Sequence, residues 1–83
     1  MLYVVSYKKK GLLGSGNFIV EVDRKLLARK KVRDEIDING EYIIDGVKEL
    51  TVDNVMEYGY NSIDELILNS VVISEGVWSF GDK

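Results

Sequence analysis

The sequence predicts a small α+β domain, built on a twisted, mostly antiparallel sheet of about five strands with one or two short helices. Two observations predict strands: short runs of β-branched and aromatic residues recur along the chain, and glycines separate several of them. A third observation, a helix-capping pattern in the second half, predicts a helix. The chain has 83 residues, 46% of them apolar, so we expect a single domain over residues 1–83.

The first two predicted strands are residues 2–7 and residues 17–23. Apolar side chains occur on both faces of the first strand, which favours a central position in the sheet. In the second strand Phe18, Val20 and Val22 would point inward. The glycine-rich segment between the strands predicts a hairpin with a long loop.

Residues 26–38 fit two structures. Good helix formers fill positions 26–31, and Asp23 is placed to cap a helix there. Yet apolar residues also fall at even positions and polar residues at odd ones, which is the strand period. We therefore expect a short helix or irregular turn through Lys31, followed by a strand that begins at Val32.

That strand would end in a tight turn at Asn39 and Gly40. Both residue types tolerate positive φ, which a two-residue type I′ turn requires, and runs rich in Ile and Tyr flank them. The resulting register has three notable cross-strand pairs: Ile36 with Ile43, Asp37 with Tyr42, and Asp34 with Asp45. The last pair is unfavourable, because like charges would lie opposite each other.

The second half of the chain predicts two short helices and two strands. Residues 51–56 fit a helix with Val52, Val55 and Met56 on one side and Gly59 as its stop. A capping box at Ser62–Glu65 predicts the start of the next helix, because the hydroxyl and the carboxylate can each accept a backbone N–H. The two strands are residues 71–73 and residues 77–80.

Composition excludes several functional classes. There is no Cys, which excludes disulfides and thiolate metal sites, and there is no His, the commonest general base and metal ligand. We therefore expect a non-enzymatic protein without a cofactor or bound metal. No stretch is long and apolar enough to cross a bilayer, and lysines follow the apolar start, the reverse of the order in a signal peptide. We expect a cytoplasmic protein that begins at its natural start codon.

Charge is unevenly distributed along the chain. Residues 1–40 carry a net charge of +4 and residues 41–83 a net charge of −7, for a total of −3. The general expectation is that folding interleaves the two halves over the surface. The alternative is a bipolar molecule with one face for an anionic partner and one for a cationic partner.

The acidic half also holds the candidate protein-binding residues. Trp78 and Phe80 are two apart and would share one face of a strand, while two tyrosines flank Gly59. Packing in the core would explain these aromatic residues, but Trp and Tyr also dominate binding hot spots. The predicted protein-binding set is therefore Trp78, Phe80, Tyr58, Tyr60 and Glu57. We expect a protein-binding module that uses an acidic surface.

A small nucleic-acid-binding domain is the first alternative. Its candidate contacts are two basic runs: Lys8, Lys9 and Lys10, and Arg29, Lys30 and Lys31. Lysine and arginine contact phosphates, and Tyr7 and Phe18 lie close enough to add stacking. The sequence pI of about 4.8 argues against a dedicated nucleic-acid binder.

A self-associating structural protein is the second alternative. The run at residues 71–73 could pair edge to edge with a second copy across a two-fold axis, which would make a homodimer.

The beginning of the chain resembles a group of known proteins. An aromatic-Val-Val-Ser-Tyr strand at residues 3–7, a Gly-Ser-Gly-Asn loop at residues 14–17 and a valine-rich strand are similar to short uncharacterised proteins of Firmicutes phages and prophages. The resemblance covers the first quarter of the chain. It implies a small phage accessory protein, a class that includes many inhibitors of host or defence factors.

Overall fold

A single antiparallel sheet of five strands forms the centre of the molecule. The computed structural model describes residues 1–9, 15–37 and 39–81. The elements are strands β1 (Leu2–Lys9), β2 (Ser15–Glu21), β3 (Tyr42–Glu49), β4 (Val71–Ser74) and β5 (Val77–Phe80), helices α1 (Lys25–Glu35) and α2 (Ile63–Leu68), and a 3₁₀ helix (Val55–Tyr58). The strand order is β3-β1-β2-β5-β4. The predicted α+β class is confirmed.

The first two strands form the predicted hairpin. They pair antiparallel, with Val5 opposite Phe18, and β1 also pairs with β3 on its other side. The predicted interior position of β1 is therefore confirmed. Both faces of β1 are buried because both carry apolar side chains and both are covered.

Two separate cores lie on the two faces of the sheet. Adjacent residues of a strand point to opposite faces, so Val5 belongs to one core and Val4 to the other. Helix α1 covers the first core through Ala28 and Val32. The 3₁₀ helix and α2 cover the second core, so the sheet lies between two helical layers.

The prediction of a strand from Val32 onward is wrong. Residues 25–35 form one continuous helix, α1, whose buried side chains are Ala28 and Val32. Residues four apart lie on one face of a helix, but they also satisfy a period of two, so the apolar spacing alone could not separate the two structures. Leu26, the first of the apolar residues at even positions that suggested a strand period, is 80% exposed. Arg24, not Asp23, is the N-cap residue.

The Asn39-Gly40 hairpin is also wrong. These two residues lie between α1 and β3, so they connect a helix to a strand instead of two paired strands. Gly40 does adopt positive φ, at 67°, and its N–H donates to the carbonyl of Asp37. Among the described residues only glycines have positive φ, so Asn39 does not, and the two-residue type I′ turn is absent. The positive φ of Gly40 is the one part of that prediction that is confirmed. Ile38 lies outside the described residues.

Two short helices occur in the second half as predicted, but the first is a 3₁₀ helix at Val55–Tyr58 and does not begin at Thr51. The 3₁₀ helix ends at Gly59, which has φ of 86°. The Ser62 hydroxyl accepts from the Glu65 N–H at 3.1 Å, and the Glu65 carboxylate accepts from the Asn61 N–H at 3.1 Å. This is the reciprocal arrangement that the capping box predicts, with the carboxylate bonding one residue earlier than the N-cap.

Strands β4 and β5 are also confirmed, and they form a hairpin at one end of the sheet.

Within the described part of the chain, no helix combines the length and apolar character needed to cross a bilayer.

Candidate protein-binding surface

The two helical layers carry opposite charge. Arg24 and α1 together hold six basic and two acidic residues, whereas residues 50–68 hold four acidic residues and no basic ones. These segments cover opposite faces of the sheet. Folding therefore places the basic helix and the acidic layer on opposite faces of the sheet and does not interleave them. For these two layers the molecule is bipolar, with one positive and one negative face.

We call the outer surface of residues 50–68 the acidic face; its charged side chains are Asp53, Glu57, Asp64 and Glu65. The Lys48 ammonium from β3 contacts Glu57, with 2.8 Å between Nζ and Oε2. The hydrogen bond that Lys48 donates to Glu57, together with the negative charge of that carboxylate, raises the pKa of Lys48. Among the described residues, neither Asp53 nor Asp64 forms an ion pair. Those two carboxylates therefore face solvent uncompensated.

Exposed apolar side chains lie among these acids. The predicted stripe of the 3₁₀ segment buries Val55 but leaves Val52 and Met56 exposed, with Val52 at 77%. The 3₁₀ helix is only four residues long, and Val55 is its one buried residue. The acidic face thus combines uncompensated carboxylates with two apolar side chains in contact with water. The spacing of Val52 and Met56 is that of a buried helical stripe, so the sequence gives no sign that both lie on the surface.

The predicted aromatic anchors are not all available for binding. Phe80 and Tyr60 are each 5% exposed and belong to the core beneath the acidic face. Tyr58 and Trp78 are partly buried and pack against the same core. The ring of Phe80 meets those of both tyrosines edge to face, at centroid distances of 5.6 and 6.4 Å. Core packing therefore accounts for these rings, and of the predicted set Glu57 alone is fully on the surface.

The predicted nucleic-acid contacts are divided between two places. Lys8 and Lys9 are exposed at the end of β1, whereas Arg29 and Lys30 are exposed on α1 and Lys31 is half-buried there. Lys30 forms an ion pair with Asp34 at 3.0 Å. Lys10 lies outside the described residues.

The aromatic residues expected to stack on bases are engaged within the protein. Tyr7 stacks on Phe18 with 4.5 Å between ring centroids, and Tyr42 contacts both edge to face. Phe18 belongs to the core under α1. Base stacking on this pair would require the core to open.

Comparisons with protein-family models, with curated proteins and with solved structures find no match to this chain.

Proposed function

We propose that this protein is a non-enzymatic protein-binding module whose acidic face docks on a basic surface of its partner. The observation that carries the proposal is the separation of charge across the sheet. Asp53 and Asp64 project from a layer without a basic residue of its own, and the nearest helical cations lie behind the sheet. An uncompensated field of one sign attracts a partner of the opposite sign and accelerates its association.

The exposed apolar residues support a protein as the partner. Protein interfaces combine an apolar centre with a polar rim, and charged residues are depleted at that centre. Val52 and Met56 can supply apolar contact, with Asp53 and Glu57 beside them in the chain. The absence of His and Cys from the sequence supports binding over catalysis. An inhibitor of a host factor, as the resemblance of the first quarter implies, is one form of this function.

The experiment compares two double variants that change net charge equally. The tagged wild-type protein is used to retain partners from a host lysate at low salt and at moderate salt. Replacing Asp53 and Asp64 by Asn removes two charges from the acidic face. We expect partners retained by the wild type at low salt to be lost with this variant, and retention by the wild type to fall at moderate salt.

The control replaces Glu21 by Gln and Asp23 by Asn, which are exposed residues outside the acidic face. We expect this control to keep the partners. If both double variants lose them equally, net charge and not the acidic face is responsible, and the proposal is wrong. It is also wrong if the wild type retains no protein.

Nucleic acid is a second candidate, which the basic helix favours. Lys25 and Arg29 form no ion pair among the described residues. With Leu26 and residues 44–47 of β3, which include Asp45, they line a groove of about 270 Å³. Burial of Phe18 weighs against the single-stranded mode. A gel shift with single- and double-stranded oligonucleotides tests this candidate. Binding that falls steeply with salt and disappears in an Arg29→Glu variant would support it.

A further inference from the structure

The outer edge of β4 is an unpaired sheet edge. Among the residues that the structure describes, β4 is the last strand of the sheet and pairs with β5 on one side alone. The backbone N–H and C=O groups on its other side are therefore available to a further strand. Monomeric proteins usually protect such an edge with charged side chains, a proline, a bulge or a covering element.

The opposite edge of the sheet, β3, has this protection. Its sequence includes Asp45, Lys48 and Glu49, and its pairing with β1 is interrupted by a register shift between Ser6 and Tyr7. β4 also has a register shift in its pairing with β5, next to Ile73. Bulges therefore occur at both edge strands, and the two edges differ in that β3 contains charged residues and β4 contains none.

The segment that leads from α2 to the end of β4 contains no charged residue. Residues 66–74 include no Lys, Arg, Asp, Glu or Pro. Val71, Val72 and Ile73 are exposed, with Val72 at 69%, and Leu68 at the end of α2 is exposed as well. An exposed, uncharged, β-branched edge is the arrangement that favours strand pairing between molecules.

We propose that β4 pairs antiparallel with β4 of a second copy across a two-fold axis at Val72, which joins two sheets into one of ten strands. This inference goes beyond the acidic-face proposal and does not depend on it. The two-fold places Val71 opposite the Ile73 of the second copy, and Ser70 opposite its Ser74. The nearest charged residue that follows, Glu75, lies outside β4 in the turn to β5.

The lack of charge along this edge indicates which partner strand it pairs with. A charged peptide would find no complementary group along residues 66–74, whereas the segment complements itself because apolar residues oppose apolar residues. The contact is small, since β4 has four residues. Specific interfaces usually bury more than about 1,000 Å², so we expect a weak dimer that forms with rising protein concentration.

Sedimentation velocity over protein concentrations from about 10 μM to about 1 mM tests this proposal. We expect the wild type to shift from monomer to dimer across the series. Val72→Lys and Val72→Glu each place like charges opposite each other at the axis, so each variant alone should raise the dissociation constant about tenfold or more. Mixing the two variants brings opposite charges together and should restore the dimer.

The matched control is Val52→Lys, which introduces the same charge at a similarly exposed valine outside β4. We expect it to dimerise like the wild type. Because Val72 is exposed, we expect both of its substitutions to leave the fold intact. Circular dichroism and thermal melting check that each variant is folded.

Three results would overturn the proposal: a wild type that stays monomeric throughout the series, a Val72→Lys variant that dimerises like the wild type, or a mixture of the charge variants that forms no dimer. None of these depends on partner retention by Asp53 and Asp64. The dimer and the acidic-face function can therefore fail separately.

Discussion

At the scale of single residues, Asp37 joins α1 to β3. Its side chain is fully buried, and one carboxylate oxygen accepts from Arg33 at 2.9 Å while the other accepts from the Tyr42 N–H at 3.0 Å. Arg33 also donates to the Tyr42 carbonyl at 3.3 Å. A buried carboxylate is tolerable when its oxygens are satisfied in this way. Asp37 therefore determines how the chain leaves the helix and enters the strand.

Replacing Asp37 by Ala should destabilise the fold by about 2–3 kcal/mol, because it leaves the Tyr42 N–H without a partner and removes the charge opposite Arg33. Urea unfolding measures the change. Asp34→Ala is the matched control, since Asp34 pairs with Lys30 on an exposed part of the same helix. We expect that control to change stability by less than about 0.5 kcal/mol. Equal losses would contradict the role assigned to Asp37.

At the scale of secondary-structure elements, the prediction of α2 is confirmed, whereas for α1 a helix through Lys31 was one of two expectations and the strand after it is wrong. The capping box at Ser62 and Glu65 is a local signal, and its hydrogen bonds form within a few residues of sequence. For α1, helix propensity and the alternation of polar residues pointed to different structures. Burial of Ala28 and Val32 against the sheet selected the helix. That selection depends on strands distant in sequence, so no local pattern could supply it.

The short length of α2 makes it dependent on its cap. A six-residue helix has few internal hydrogen bonds, so the bond from the Glu65 N–H to the Ser62 hydroxyl is a large share of its stability. Ser62→Ala should lower the free energy of unfolding by about 1 kcal/mol, measured by urea unfolding. Ser62→Asp keeps an acceptor at the N-cap and should preserve stability. A loss of the same size with Asp would show that the cap is not the cause.

At the scale of the whole molecule, the sheet separates two charged layers. Net charge describes the protein poorly, because the basic helix carries a net positive charge and the acidic face a net negative charge on opposite sides of the sheet. A partner or a charged resin that approaches α1 encounters mainly cations. Either proposed function, protein or nucleic-acid binding, draws on this separation and not on the total of −3.

Ion-exchange chromatography tests the separation. Despite its net charge of −3, we expect the protein to be retained on a cation exchanger at pH 7 and low salt, through α1. Arg29→Gln should shorten that retention. Lys48→Gln changes net charge equally but removes a cation paired with Glu57 beside the acidic face, so it should leave retention unchanged. Passage of the wild type straight through the column would contradict the bipolar surface.

The sequence alone determined the α+β class, the β1–β2 and β4–β5 strands, the capped helix α2 and the glycine stop at Gly59, because each of these depends on local propensity or on a cap within a few residues. Only the tertiary structure decided that residues 25–35 form a helix, that Phe80 and Tyr60 lie in a core, and that Val52 and Val72 lie on the surface. Burial is a property of two segments in contact. The identity of an apolar residue does not reveal whether a strand distant in sequence covers it or whether it contacts water.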